Sequence, residues 1–245
     1  MTCALEVRCS IQLSYTGVSD YFTKARTALA RRFADLAFKP TWTVRPGDGP
    51  FPEPQPVALL AGGRSSRFGS DKARVHVGGV PLLRRNHALL TSAFTHVAIV
   101  GPRADAYADL GLVCTPDDTP HRGPMAGVIA ALEQRLATRG PGPVAICACD
   151  TLLSAQAVDQ IQHMAAALAD SVSAAAVAGH DGHRWQPLFA AYSTHALPSL
   201  HAALSAGRAS LTRWLDDPAH AVVRHHLVRA PATFNTPEEL AQIQD

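Results

Sequence analysis

The stretch Leu59-Leu60-Ala61-Gly62-Gly63-Arg64-Ser65-Ser66-Arg67-Phe68-Gly69-Ser70-Asp71-Lys72-Ala73 joins an apolar run to a glycine-rich loop carrying fixed positive charge. Such a loop suits phosphate. Gly62 and Gly63 lack the Cβ atoms that would hold a triphosphate away from backbone N–H groups, and Arg67 and Lys72 are cationic donors. Spacing excludes two commoner phosphate loops. A P-loop requires Gly-x4-Gly-Lys-Ser/Thr, and the chain has no Gly-Lys pair; a dinucleotide fingerprint requires Gly-x-Gly-x-x-Gly, whereas these glycines stand at 62, 63 and 69. An ordinary strand-to-helix turn would not need the double glycine together with Arg67, Asp71 and Lys72.

Carboxylates supply the complementary chemistry. Asp150 follows the apolar run Val144-Ala145-Ile146-Cys147-Ala148-Cys149, which places it at a strand end. Mg2+ is satisfied by one or two carboxylates plus phosphate oxygens and water, so a single aspartate there can serve a phosphate-bound metal. The alternative is that Asp150 only caps a helix starting at Ser154 or Ala155. Asp117 and Asp118 precede Gly123-Pro124-Met125-Ala126-Gly127, where Gly123 and Pro124 start a helix and Gly127 permits a close approach to its first turns. Thr236-Pro237-Glu238-Glu239 is a second helix start, with a threonine cap and acids in the first turn. None of the twelve histidines stands with a carboxylate or cysteine at metal-ligand spacing, so they are read as packing or surface residues.

These groups need a frame. Residues 46–56 are too rich in proline and glycine for a helix or central strand, so they form a linker between an extension, 1–45, and a domain over 57–245. Beyond the linker, strand-like runs alternate with helical ones: a strand to Ala61, a helix over 82–93, a strand over 96–101, a helix over 126–137, a strand over 143–149, a helix over 155–168 and a strand over 172–178. Apolar strands separated by helices imply an α/β fold, a doubly wound, mostly parallel, Rossmann-like sheet covered on both faces. Ligands of such sheets bind beyond the carboxyl ends of the strands, so the loops after Ala61, Gly101 and Cys149 belong on one rim. In the extension, alternation from Leu5 to Tyr15, a helical stripe over 21–38 and Thr41 to Val44 form a short β-α-β unit.

Composition narrows the class. A hydrophobic fraction of 47% over 245 residues suits a globular core, and 22 basic against 20 acidic residues give no support for a nucleic-acid partner. Five cysteines in a chain too large to need stapling favour reduced thiols, with Cys147 and Cys149 in an apolar run read as buried thiols and not as metal ligands. No apolar stretch approaches a membrane span and no signal-peptide pattern opens the chain, so a cytoplasmic location without membrane association is expected.

From Leu60 to Ala73 the pattern resembles, without a gap, the signature loop of the molybdenum cofactor guanylyltransferase family, within the wider group of nucleoside-triphosphate transferases. Further segments resemble that family in the same order: Asp118 with the Gly123 turn, Cys149-Asp150, Gln186-Pro187-Leu188, and Asn235-Thr236-Pro237-Glu238. The resemblance implies transfer of GMP from GTP to the phosphate of molybdopterin, with release of pyrophosphate and Mg2+ as cofactor. It implies that Leu60, Ala61, Gly62, Gly63, Lys72, Asp118, Gly123 and Gly127 line the nucleotide and that Asp150 holds the metal. Lys72 and Arg67 would stabilise the departing pyrophosphate, and Gln186 and Asn235 would face the second substrate. A molybdoenzyme or cofactor-insertion protein is the implied protein partner. Two departures stand out. Leu152 occupies the position of the family's proline after the metal aspartate, and the loop Gly101-Pro102-Arg103 lacks the asparagine that contacts guanine. The alternatives are cytidylyl transfer to the same cofactor, nucleotidyl transfer to a sugar phosphate, or a nucleotide-binding module without turnover. Residues 15–51 also resemble the selenoprotein W-like family, but Thr16 and Ser19 stand where its redox cysteines would, so that segment is redox-inactive.

Overall fold

The structure, a computed structural model, describes residues 55–62, 71–117, 123–227, 230–234, 236 and 239–240. The extension over 1–45, nearly all of the linker, and Gly63, Arg67, Asp118 and Asn235 lie outside the described residues.

Seven strands form the central sheet: β1 (Val57–Leu60), β4 (Val97–Gly101), β5 (Thr115–Pro116), β6 (Pro143–Ala148), β8 (Ala176–His180), β9 (Trp185–Ser193) and β10 (Val222–His226), in the order β10-β8-β9-β6-β1-β4-β5. Two small ribbons accompany it, β2 (His76–Val77) with β3 (Val80–Pro81), and β7 (Thr151–Leu152) with β11 (Ala232–Thr233). All pairings in the large sheet are parallel except those of β9, which runs antiparallel to both β6 and β8. A nine-residue strand that follows β8 after a four-residue turn can only return antiparallel, because a parallel return requires a crossover of a dozen or more residues.

Burial on both sides explains why these strands read as continuous apolar runs. On β1, Val57 and Leu59 face a core shared with α1 (Leu82–Thr91) and α3 (Ala155–Asp170). Ala58 and Leu60 face the opposite core, shared with α2 (Pro124–Arg139), α4 (Leu197–Ser205) and α5 (Leu211–Asp216). Adjacent residues thus point to opposite layers, as the strand period of two requires. Among the described residues no helix is long and apolar enough to cross a membrane.

Most expected elements occur within a few residues of their expected bounds; the strand expected over 172–178 is displaced. Ser171 ends α3 by donating its N–H to Leu168 O and accepts from Ala174 N through its Oγ, so 171–175 is a turn with Val172 exposed. The strand begins only at Ala176. Local hydrophobicity cannot separate a strand from the turn that a helix end imposes on it.

Register fixes the rim. Leu60 pairs with Val100 of β4 on one side and Ala148 of β6 on the other, so Ala61, Gly101 and Cys149 emerge at one level. From β1 the chain moves outward to β4 and β5, then returns to β6 on the opposite flank. That reversal is the topological switch where open α/β sheets hold ligands.

Candidate active site

Lys72 and Asp150, 78 residues apart, meet on this rim with Nζ 3.0 Å from Oδ2. Their side chains are 12% and 30% exposed, so the pair is neither sealed in the core nor fully in water. Lys72 opens a 3-10 turn over Lys72–Arg74, and that turn is set by Asp71, whose side chain accepts from Ala73 N at 3.0 Å. Lys72 Nζ also donates to the carbonyl of Phe234 at 3.0 Å and lies 6.0 Å from the centre of its ring.

Asp150 follows β6, and its role as a mere helix cap is ruled out. The helix α3 is capped by Ser154, whose side chain accepts from Ala157 N. Among the described residues the Asp150 side chain bonds through Oδ2 alone, which leaves Oδ1 unengaged on a side chain that is 30% exposed. The path after it, where Leu152 replaces proline, is held by the β7–β11 pairing and from α1. Asn86 Nδ2 donates to Thr151 O at 2.6 Å and Arg85 Nη1 to Leu153 O at 2.9 Å.

The glycine-loop residues divide by role. Leu60 O accepts from Cys149 N at 2.9 Å, while Ala61 uses its N–H on Val100 O and its carbonyl on the hydroxyl of Tyr107 at 3.1 Å. Those three groups anchor the loop to the sheet. Gly62 is exposed beyond them. Gly127 lies against a buried leucine: a Cβ there would stand 3.3 Å from Leu60 Cδ1. Gly123, with φ 84° and ψ −178°, precedes Pro124 at the start of α2, and only glycine adopts that conformation without strain. Gln186 sits at the start of β9, and its Nε2 donates to Asp181 Oδ2 at 2.8 Å. No hydrogen bond joins it to Lys72 or Asp150. Because β9 runs antiparallel to β6, its N-terminal end reaches the carboxyl rim. Asp117 N donates to Gly101 O at 2.8 Å, tying the acidic loop to the end of β4.

Tyr107 is a member that sequence reasoning missed. Burial, reinforced by the neighbouring Asp71 charge, pushes its hydroxyl well above the ordinary tyrosine value, so it remains a protonated donor to Ala61 O. Arg74 lies 5.4 Å over its ring and pairs with Asp109. Burial, and after it the Asp150 charge, raises the Cys149 thiol and favours its neutral form. The other free thiols among the described residues, Cys114 and Cys147, are buried. Among the described residues no three His, Cys, Asp or Glu side chains cluster at metal-binding distance. His180, buried and edge-on to Trp185, accepts from Gly182 N, which is a packing role.

A loop lysine, a strand-end carboxylate and glycine turns gathered at the switch point of such a sheet agree with a family model. Residues 57–224 match the MobA-like NTP transferase domain. The chain belongs to this family. A relative in Nostoc sp. named probable molybdenum cofactor guanylyltransferase is 36% identical over 191 residues, covering 76% of this chain and 88% of the relative. A molybdenum cofactor guanylyltransferase of Pseudomonas putida strain F1 is 34% identical over 194 residues, covering 76% and 96%. Among solved structures, molybdopterin-guanine dinucleotide biosynthesis protein A from Archaeoglobus fulgidus superimposes with a TM-score of 0.61 at 19% identity, covering 78% of this chain and 97% of the other. That likeness shows the shared mixed α/β fold with a mostly parallel central sheet. The family match starts at Val57, the first residue of β1.

Proposed function

We propose that this protein transfers GMP from GTP to the terminal phosphate of molybdopterin. A phosphate oxygen of the acceptor attacks the α-phosphorus of GTP, the bond from that phosphorus to the β-phosphate oxygen breaks, and pyrophosphate leaves. The observation that carries the reading is the Lys72–Asp150 pair at the carboxyl rim of β1 and β6. Nucleotidyl transfer asks for in-line positioning and neutralisation of developing charge more than for covalent help. The acceptor is already anionic near neutral pH, so no general base is required.

Mg2+ fits the donor set, because Asp150 offers an unengaged carboxylate oxygen on the rim and phosphate oxygens fill the remaining positions of such a site. When bound, the ion polarises the phosphates and offsets their charge. Lys72 exchanges Asp150 for phosphate oxygens and stabilises charge building on the departing pyrophosphate, with Arg67 as a second cation on the loop. Tyr107 keeps the base of that loop in place through Ala61. Gln186, with its amide nitrogen committed to Asp181, presents its carbonyl oxygen to the second substrate.

Pyrophosphate release tests this with purified protein, Mg2+, molybdopterin and each of GTP, CTP and ATP. Cofactor-dependent release with GTP alone is the expected result. Release with CTP but not GTP overturns the guanylyl assignment, and silence with all three from folded protein overturns the transferase reading.

A further inference from the structure

We propose that Asn86 is the positioning residue of the active carboxylate, an internal clamp that fixes the backbone on both sides of Asp150. The inference rests on the function proposed above. Asn86 is fully buried on α1, four residues after Leu82, so both side chains lie on one helix face. Its Nδ2 donates to Thr151 O at 2.6 Å and lies 3.4 Å from Cys149 O, the carbonyls that bracket Asp150. Arg85 Nη1 holds the amide from the other side, at 3.3 Å from Asn86 Oδ1, while bonding Leu153 O at 2.9 Å. Leu82 packs on Phe234, whose carbonyl accepts from Lys72. One face of α1 therefore supports both partners of the catalytic lysine.

Sequence supplies the physical need. The segment Cys149-Asp150-Thr151-Leu152-Leu153 contains neither proline nor glycine, so nothing intrinsic locks the dihedrals after Asp150. An apolar residue would fill the Asn86 site more cheaply than a fully buried amide, unless that amide answers carbonyls the loop must keep in place. Groups behind a metal ligand that fix its orientation typically govern metal affinity by about 10–100-fold when removed.

The test uses Mn2+ as a paramagnetic stand-in for Mg2+, with its binding to the full-length protein and GTP followed by electron paramagnetic resonance. Wild type is expected to bind, and Asn86→Leu to bind about tenfold more weakly, with GTP affinity in the absence of metal unchanged. A melting temperature that falls while Mn2+ affinity stays at the wild-type value shows a purely structural amide and overturns the inference. If Asn86→Leu does not fold, Arg85→Met decides: wild-type Mn2+ affinity in that variant overturns the clamp, and a severalfold loss supports it. Wild-type protein that binds no Mn2+ with GTP overturns the proposed function, and the inference falls with it.

Discussion

Replacing Lys72 by methionine separates the catalytic from the structural content of the site. The substitution keeps an unbranched side chain of similar length and removes the ammonium that bonds Asp150 Oδ2 and Phe234 O, each at 3.0 Å. A buried hydrogen bond to a charged group contributes about 1.5–3 kcal/mol, an exposed ion pair about 0.2–1. With the two side chains 12% and 30% exposed, the pair falls between these limits, and we expect a loss of about 1–2 kcal/mol. For a domain of this size that lowers the melting temperature by about 2–8 °C. Loss of a preorganised donor from a site of developing anionic charge costs about 10²–10³-fold in turnover, or about 2.7–4 kcal/mol. The two effects differ enough to be measured side by side, by pyrophosphate release at saturating substrates and by thermal unfolding. Turnover within about threefold of wild type, together with the expected fall in melting temperature, would make Lys72 a clasp and nothing more. Asp150→Asn provides the converse. It leaves Lys72 an amide oxygen to bond, so stability should fall less, while the divalent-metal dependence of the rate should weaken sharply.

Gly123→Ala tests the backbone at the start of α2: no atom stands within 4 Å of the added Cβ, so its cost is conformational alone. We expect about 1–3 kcal/mol of lost stability, read from the urea midpoint, and a midpoint unchanged from wild type would refute the assignment. Asp181 gives a pH signature. Backbone N–H groups of Arg184 and His183 hold its carboxyl well below the ordinary range, so its contribution is present above the unfolded value of about 3.9 and disappears as pH falls through the folded one. The melting-temperature gap between wild type and Asp181→Asn should therefore be largest near pH 6 and close on acidification; a gap that widens in acid contradicts the sign.

Helix and strand order was legible because the cores on both sides of the sheet write their periods locally. Val57 and Leu59 against Ala58 and Leu60 is one example, and the helix opening at Gly123-Pro124 is another. Asp150 could be placed at a strand end for the same reason. At Leu60, Ala61 and Gly127 the sequence marks a position as special without saying which protein groups approach it. The approaching groups turned out to be Cys149, Tyr107 and a leucine side chain.

By itself, then, the sequence determined the α/β alternation, the glycine-rich cationic loop and the carboxylate after β6, all features of short segments in which propensity and periodicity act. Only the tertiary structure decided which groups meet. Lys72 reaches Asp150 across 78 residues and Phe234 O across 162, and Asn86 reaches Thr151 O across 65. Contacts of that span depend on the register of β1 between β4 and β6 and on the β7–β11 pairing that returns the end of the chain to the rim. Register is a property of the packed sheet, set when both faces are covered at once, and no local stretch of residues carries it.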